Sequence, residues 1–115
     1  MAWTGVVRGM RYSIETNAEQ IWVRLKGELP PGSNGNEFVA AVVKDLCATL
    51  ETSSATECIV DCRELIYSWG DAIASIWLIA LKHKLRCRIC ATGATRERLS
   101  ELMKISVPVP ISEQP

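Results

Sequence analysis

The chain has 115 residues, 48% of them hydrophobic and 23% charged, which suits one globular domain and argues against disorder. A domain of this length buries about two-thirds of its unfolded surface, enough for a real core. Its 13 basic and 13 acidic residues cancel, so bulk charge gives no support for binding nucleic acid or an anionic membrane.

Residues 1–11 carry no clear period and are expected to be a loosely held arm. Residues 11–15 alternate, and residues 21–26 alternate more clearly, with Ile21, Val23 and Leu25 on one face. Asn17-Ala18-Glu19-Gln20 between them suits a hairpin turn. Residues 29–36, which include Pro30, Gly32 and Asn34, form a loop by composition. A helix is expected over about 37–50, with Phe38, Val39, Val42, Val43, Leu46 and Leu50 at helical spacing and Asn36 as N-cap.

Residues 57–61 are a nearly all-apolar strand of the kind buried in mid-sheet, ending at Asp61. After a short loop, a second helix is expected over about 69–83, then a strand over 85–91, the Thr92-Gly93 turn and a third helix over 95–104 with Leu99, Leu102 and Met103 on one side. Pro108 and Pro110 restrict residues 107–115 to an edge strand or a tail. The order β-β-α-β-α-β-α implies right-handed crossovers and a single α/β domain over residues 12–106, a small mostly parallel sheet with an antiparallel edge pair and helices mainly on one face.

The five cysteines do not suit a full disulfide framework. No signal-peptide h-region is visible in residues 1–10, and the longest apolar run, 72–81, is too short to span a bilayer, so a cytoplasmic protein without membrane insertion is expected. Cys87-Arg88-Ile89-Cys90 has redox or metal spacing, but inside a strand residues three apart point to opposite faces, so these read as packing thiols, like Cys58 and Cys62. No metal site is expected, since His83 is the sole histidine and there is no second CxxC. His83 reads as a helix-end residue whose imidazole meets a carbonyl. The chain has no Gly-rich phosphate loop, paired-carboxylate signature or nucleophile elbow, so nothing argues for an enzyme or a catalytic residue.

Tyr67-Ser68-Trp69-Gly70-Asp71 is the informative segment, because it sets a serine at the expected mouth of the second helix. One reading makes Ser68 an N-cap, with Asp71 completing a variant capping box. The other makes it a phosphoacceptor whose phosphate meets the helix N–H groups. Trp69 is read either as a core residue or as a surface anchor for a partner.

Four stretches resemble the STAS domain, the module of sulfate transporters and anti-sigma factor antagonists. Val23-Arg24-Leu25-Lys26-Gly27-Glu28-Leu29 resembles its early strand and G-E/D-L, and Ile59-Val60-Asp61-Cys62 its central strand ending in aspartate. Tyr67-Ser68-Trp69-Gly70 stands where the family has D-S-S-G, and the run from Ala91-Thr92-Gly93-Ala94 to Leu102 resembles its last strand, turn and short helix. Tyr67, Trp69 and Asp71 depart from the family residues at their positions.

The resemblance implies a bacterial, non-enzymatic regulator without a cofactor of its own. It would bind an anti-sigma factor or an ATP-using serine kinase and be phosphorylated on Ser68. The docking surface would comprise Pro30, Asn34, Tyr67, Ser68, Trp69, Gly70 and Asp71. Two other readings stand beside it: a STAS subunit of a lipid-transport ABC complex or sensory assembly, where the serine need not be phosphorylated, and a sensor of a small anion or nucleotide.

Overall fold

The computed structural model describes residues 3–30 and 32–114. In chain order the elements are β1 (Gly5–Val7), β2 (Met10–Thr16), β3 (Gln20–Glu28), α1 (Ser33–Thr52), β4 (Glu57–Ile66), α2 (Ala74–Lys82), β5 (Arg86–Cys90), α3 (Gly93–Leu102) and β6 (Ile111–Ser112). They form one mixed sheet in the order β1-β2-β3-β4-β5-β6, antiparallel from β1 to β3 and parallel from β3 to β6. Each parallel crossover steps in the same direction along the sheet. A uniform right-handed crossover therefore puts α1, α2 and α3 on one face, as the α/β reading of the sequence expects.

That face holds the core. Ile21, Val23 and Leu25 of β3, Cys58 and Val60 of β4 and Cys87 and Ile89 of β5 lie under Phe38, Val42 and Leu46 of α1, Ile76 and Trp77 of α2 and Leu99 of α3. The Tyr12 and Phe38 rings meet edge to face, centroids 5.9 Å apart. Cys87 pairs with Cys58 on the core face, while Cys90 lies beside Asp61 on the other, and all five thiols are free. The His83 Nδ1 lies 3.0 Å from the Ile79 carbonyl at the end of α2, as expected of a helix-end histidine.

The opposite face has no helix and is roofed by its own long side chains. Trp22 aligns with Ile59 and Arg88, and Arg24 with Ser13, Asp61 and Cys90. The Arg24 guanidinium lies 5.5 Å from the Trp22 ring centroid. The Trp22 Nε1 donates to Gln20 Oε1 (3.1 Å), Gln20 Nε2 donates to Glu57 Oε1 (2.8 Å), and Arg88 Nε donates to Glu57 Oε2 (3.3 Å). Arg63 grips Asp61 with two side-chain bonds, at 2.9 and 2.8 Å. Beneath this layer Ile59, Cys90 and Ser13 are buried.

Three of these elements differ from the sequence reading. The described part of the 1–11 arm is not loose: β1 pairs with β2 through a two-residue turn in which Arg8 (φ 54°) and Gly9 (φ 79°) both take positive φ. Its Arg8 pairs with Glu37 at 2.9 Å, and the Tyr12 hydroxyl donates to Asp45, so the hairpin is tied to α1.

The strand expected to end at Asp61 runs on to Ile66. Its register with β3 advances from Asp61 to Glu64 while β3 advances only from Arg24 to Lys26. This bulge leaves Arg63 and Glu64 in solvent and returns Leu65 to the core. α1 begins at Ser33 rather than near Glu37, so Asn36 is inside it and Gly32 (φ 69°) is the residue before it. Within residues 107–115, read as an edge strand or a tail, Ile111–Ser112 is an edge strand beside β5; Pro31 of the 29–36 loop and Pro115 lie outside the described residues.

This architecture makes two expectations testable. A Cβ on Gly35 would sit 2.2 Å from the Pro30 carbonyl oxygen, a backbone atom that cannot swing aside. Gly35→Ala is therefore expected to cost about 1–3 kcal/mol in urea unfolding, and an unchanged midpoint would mean that the α1 entry is slack. Burial alone would raise the Asp61 pKa, but the Arg63 bonds and the Arg63 and Arg24 charges hold it below the ordinary value. A depressed carboxylate contributes stability above its unfolded pKa of about 4, and that contribution fades as pH falls through the folded value. Asp61→Asn should thus lose more stability at about pH 7 than near pH 3, and equal losses at both would show that the charge contributes nothing.

Candidate functional site

The site lies at the carboxyl ends of the parallel strands, where open α/β sheets present their loops. β4 ends at Ile66, whose carbonyl accepts from Leu29 N at 2.9 Å, so the loops after β3 and β4 leave the sheet side by side. Tyr67 turns back into the core, and its hydroxyl donates to the Gly70 carbonyl, closing the loop on itself. Burial, together with the Asp71 charge, raises the Tyr67 phenol pKa and keeps it a donor. Gly70 sits at φ 107°, which favours glycine there.

The first turn of α3 holds this loop from the side. The buried Thr95 hydroxyl donates to the Leu65 carbonyl at 2.7 Å and accepts from Tyr67 N at 3.3 Å. The Arg98 Nη1 donates to the Ser68 carbonyl at 3.3 Å. Ser68, Trp69, Gly70 and Asp71 stand in solvent at the top of the loop.

The second helix does not begin where the sequence suggested. It starts at Ala74, preceded by a tight turn in which Ala74 N, Ser75 N and Ile76 N donate to the carbonyls of Asp71, Ala72 and Ile73. Its N-cap position is Ile73, in a helical conformation and without a side-chain cap bond among the described residues. Ser68 is therefore not the N-cap, and the capping-box reading is corrected. Gly70 with positive φ and the Tyr67–Gly70 bond delay the helix past Asp71, and those first amides are already spent on the turn.

Trp69 is 65% exposed, so the core reading is corrected and the indole stands at the surface. It forms a ridge between two clefts. The larger, about 410 Å³, lies between the loop and α3 and is walled by Tyr67, Ser68, Trp69, Arg98, Leu102 and Ile105. The smaller, about 190 Å³, lies towards α1 and is walled by Pro30, Gly35, Asn36, Trp69, Asp71 and Ile73.

Of the residues singled out in the sequence, Tyr67, Ser68, Trp69, Gly70 and Asp71 share the larger cleft, and Pro30 joins Trp69, Gly70 and Asp71 in the smaller. Asn34 is an exposed helical residue that lines neither. Sequence reasoning missed Thr95, Arg98 and Ile105. Ile105 is 80% exposed, the one signal being an apolar residue left outside the period of α3. No group of three or more His, Cys, Asp or Glu side chains among the described residues is placed to hold a metal ion, and no described helix is long and apolar enough to cross a membrane.

An open-faced sheet with all its helices on one side is an α/β architecture that solved structures share. The anti-sigma factor antagonist SpoIIAA in its unphosphorylated form superposes with a TM-score of 0.60 at 14% identity, over 90% of this chain and 89% of that one. An anti-sigma factor antagonist from Mycobacterium paratuberculosis gives a TM-score of 0.56 at 18% identity, over 91% and 86%. The chain thus has the fold of the anti-sigma factor antagonists, as its STAS-like stretches led one to expect. No family model matches the sequence, and no curated protein matches it by sequence.

Thr95→Val would strip the hydroxyl from two buried backbone groups at once. It is expected to cost about 1–3 kcal/mol of stability and to raise amide exchange at Tyr67. Exchange there equal to wild type would show that the clamp is not what holds the loop.

Proposed function

We propose that this chain is a non-enzymatic regulatory module of the anti-sigma factor antagonist kind, which docks a protein partner on the Trp69 ridge and is controlled by phosphorylation of Ser68. The observation that carries the reading is the exposed indole between two clefts, borne on a loop fastened from both sides. A large apolar side chain held in solvent by a rigid frame is what an interface hot spot requires, because little conformational entropy remains to be lost on binding.

Similarity to the anti-sigma factor antagonists supports an anti-sigma factor or a histidine-kinase-like serine kinase, using ATP, as the partner. Tyr67, Trp69 and Asp71 replace residues that the family carries around its phosphoserine. They favour the alternative of a STAS subunit in an ABC transport or sensory assembly only if Ser68 proves unmodified.

The reading is tested by capture from native lysate with wild type and Trp69→Ala side by side, identification by mass spectrometry, and titration of the recovered partner. Wild type is expected to retain a serine kinase or anti-sigma factor. Trp69→Ala should weaken binding by about 2 kcal/mol, close to thirtyfold, with its melting temperature kept. Undiminished binding by Trp69→Ala would remove the ridge from the interface. Recovery of a permease or transport ATPase would transfer the module to the ABC reading.

A further inference from the structure

We propose that Arg98 is the built-in receptor for a phosphate on Ser68, so that modification of this serine ties the Tyr67–Asp71 loop to α3. The inference rests on the reading of Ser68 as the phosphoacceptor and says where its phosphate goes.

The sequence directs such a phosphate to the mouth of α2, and the structure moves that mouth away to Ala74. The first amides of α2 are spent on the carbonyls of Asp71, Ala72 and Ile73. The helix starts six residues after Ser68. A dianion on Ser68 has a charged donor to hand on α3.

Arg98 supplies it. Its Nη1 already donates to the Ser68 carbonyl at 3.3 Å, and both side chains line the same cleft. That bond is longer than the roughly 2.7–2.9 Å of a strong charge-assisted one, and it engages one of the five N–H donors that a guanidinium carries. The planar fork remains free to take two phosphate oxygens at once, the geometry in which arginine binds phosphate best.

The charges facing this position are few. Among the described residues that line the cleft, Arg98 is the one cation, and Asp71 and Glu101 are the anions. Lys104 holds both Glu101 oxygens at 3.1 Å and so offsets that charge. Asp71 opposes the phosphate, so Arg98 has to offset one negative charge as well as bind another.

The consequence reaches the docking ridge. Trp69 follows Ser68 directly, and a phosphate bridged to Arg98 places charge in the cleft that the indole also lines. It would also replace a single long bond between loop and α3 with a bidentate one. Phosphorylation would then act through the charge and rigidity of the Trp69 surface rather than through the helix.

The test installs phosphoserine at position 68 of the full chain by genetic encoding, and reads its second ionisation by ³¹P NMR titration. The same chain carrying Arg98→Gln, and a chain with phosphoserine at the exposed Ser54 at the other end of β4, are compared. An unperturbed phosphoserine ionises with a pKa of about 6. The phosphate at 68 is expected to ionise with a dissociation constant roughly three- to tenfold larger than that of the Arg98→Gln chain. Arg98→Lys should fall between, keeping the charge but losing the fork. Equal titration with and without Arg98, in chains whose circular dichroism is unchanged, would overturn the assignment. Because the phosphate is installed, either result is independent of whether a cellular kinase modifies Ser68, which is the separate question of the proposed function.

Discussion

The structure depends on a single topological constraint: every parallel crossover steps the same way along the sheet, so the right-handed rule for such crossovers acts on each in the same sense. This puts three helices on one face and none on the other. Two solutions to burial follow. On the helix side, apolar strand residues meet helix stripes led by Phe38, Trp77 and Leu99. On the bare side, arginine stems and an indole lie flat over Ile59, Ser13 and Cys90, with their charged ends tied to Glu57 and Asp61. Charged pairs at this partly exposed depth contribute little individually, on the order of tenths to 1 kcal/mol. Their larger role is to keep water off the sheet while leaving a hydrophilic outer surface.

The same constraint locates the candidate site. With β3, β4 and β5 parallel, the loops that leave their carboxyl ends emerge together. Two of the exposed large apolar side chains, Trp69 and Ile105, stand beside those loops, while Val6 is exposed on the bare face. Frame and loop are coupled through backbone carbonyls. Thr95 and Arg98 reach across from α3 to the carbonyls of Leu65 and Ser68, and Tyr67 closes on Gly70. Such contacts are indifferent to the side chains at the top of the loop. Serine, tryptophan and aspartate can therefore stand there in place of other residues without loss of the frame.

Much of the fold was legible. Alternation at Ile21, Val23 and Leu25, helical spacing from Phe38 to Leu50 and the apolar run at Cys58-Ile59-Val60 are periodic signals set by burial on one face. The misses each had a physical cause. The β1 hairpin turns at Arg8-Gly9, and a positive φ at arginine carries no turn signature of the Asn-Gly kind. Arg63-Glu64 looked like the end of a strand because a bulge, invisible to a period of two, lets both charges face water while the ladder continues to Ile66. Ser68 looked like a cap because Ser and Asp three apart fit that pattern. The positive φ of Gly70 and the tight turn from Asp71 move the helix start to Ala74.

The order of residues by itself determined the element types, the parallel sheet and the segment that carries the candidate site, because these rest on local periodicity and on the handedness of L-residue crossovers. Only the tertiary structure decided that Trp69 stands in solvent, that Asn34 is apart from the site, and that Arg98, 30 residues along the chain, lies at Ser68. Those facts depend on where α3 comes to rest after its crossover and on which amides a turn consumes. No local pattern encodes either, because both are set by packing between elements far apart in sequence.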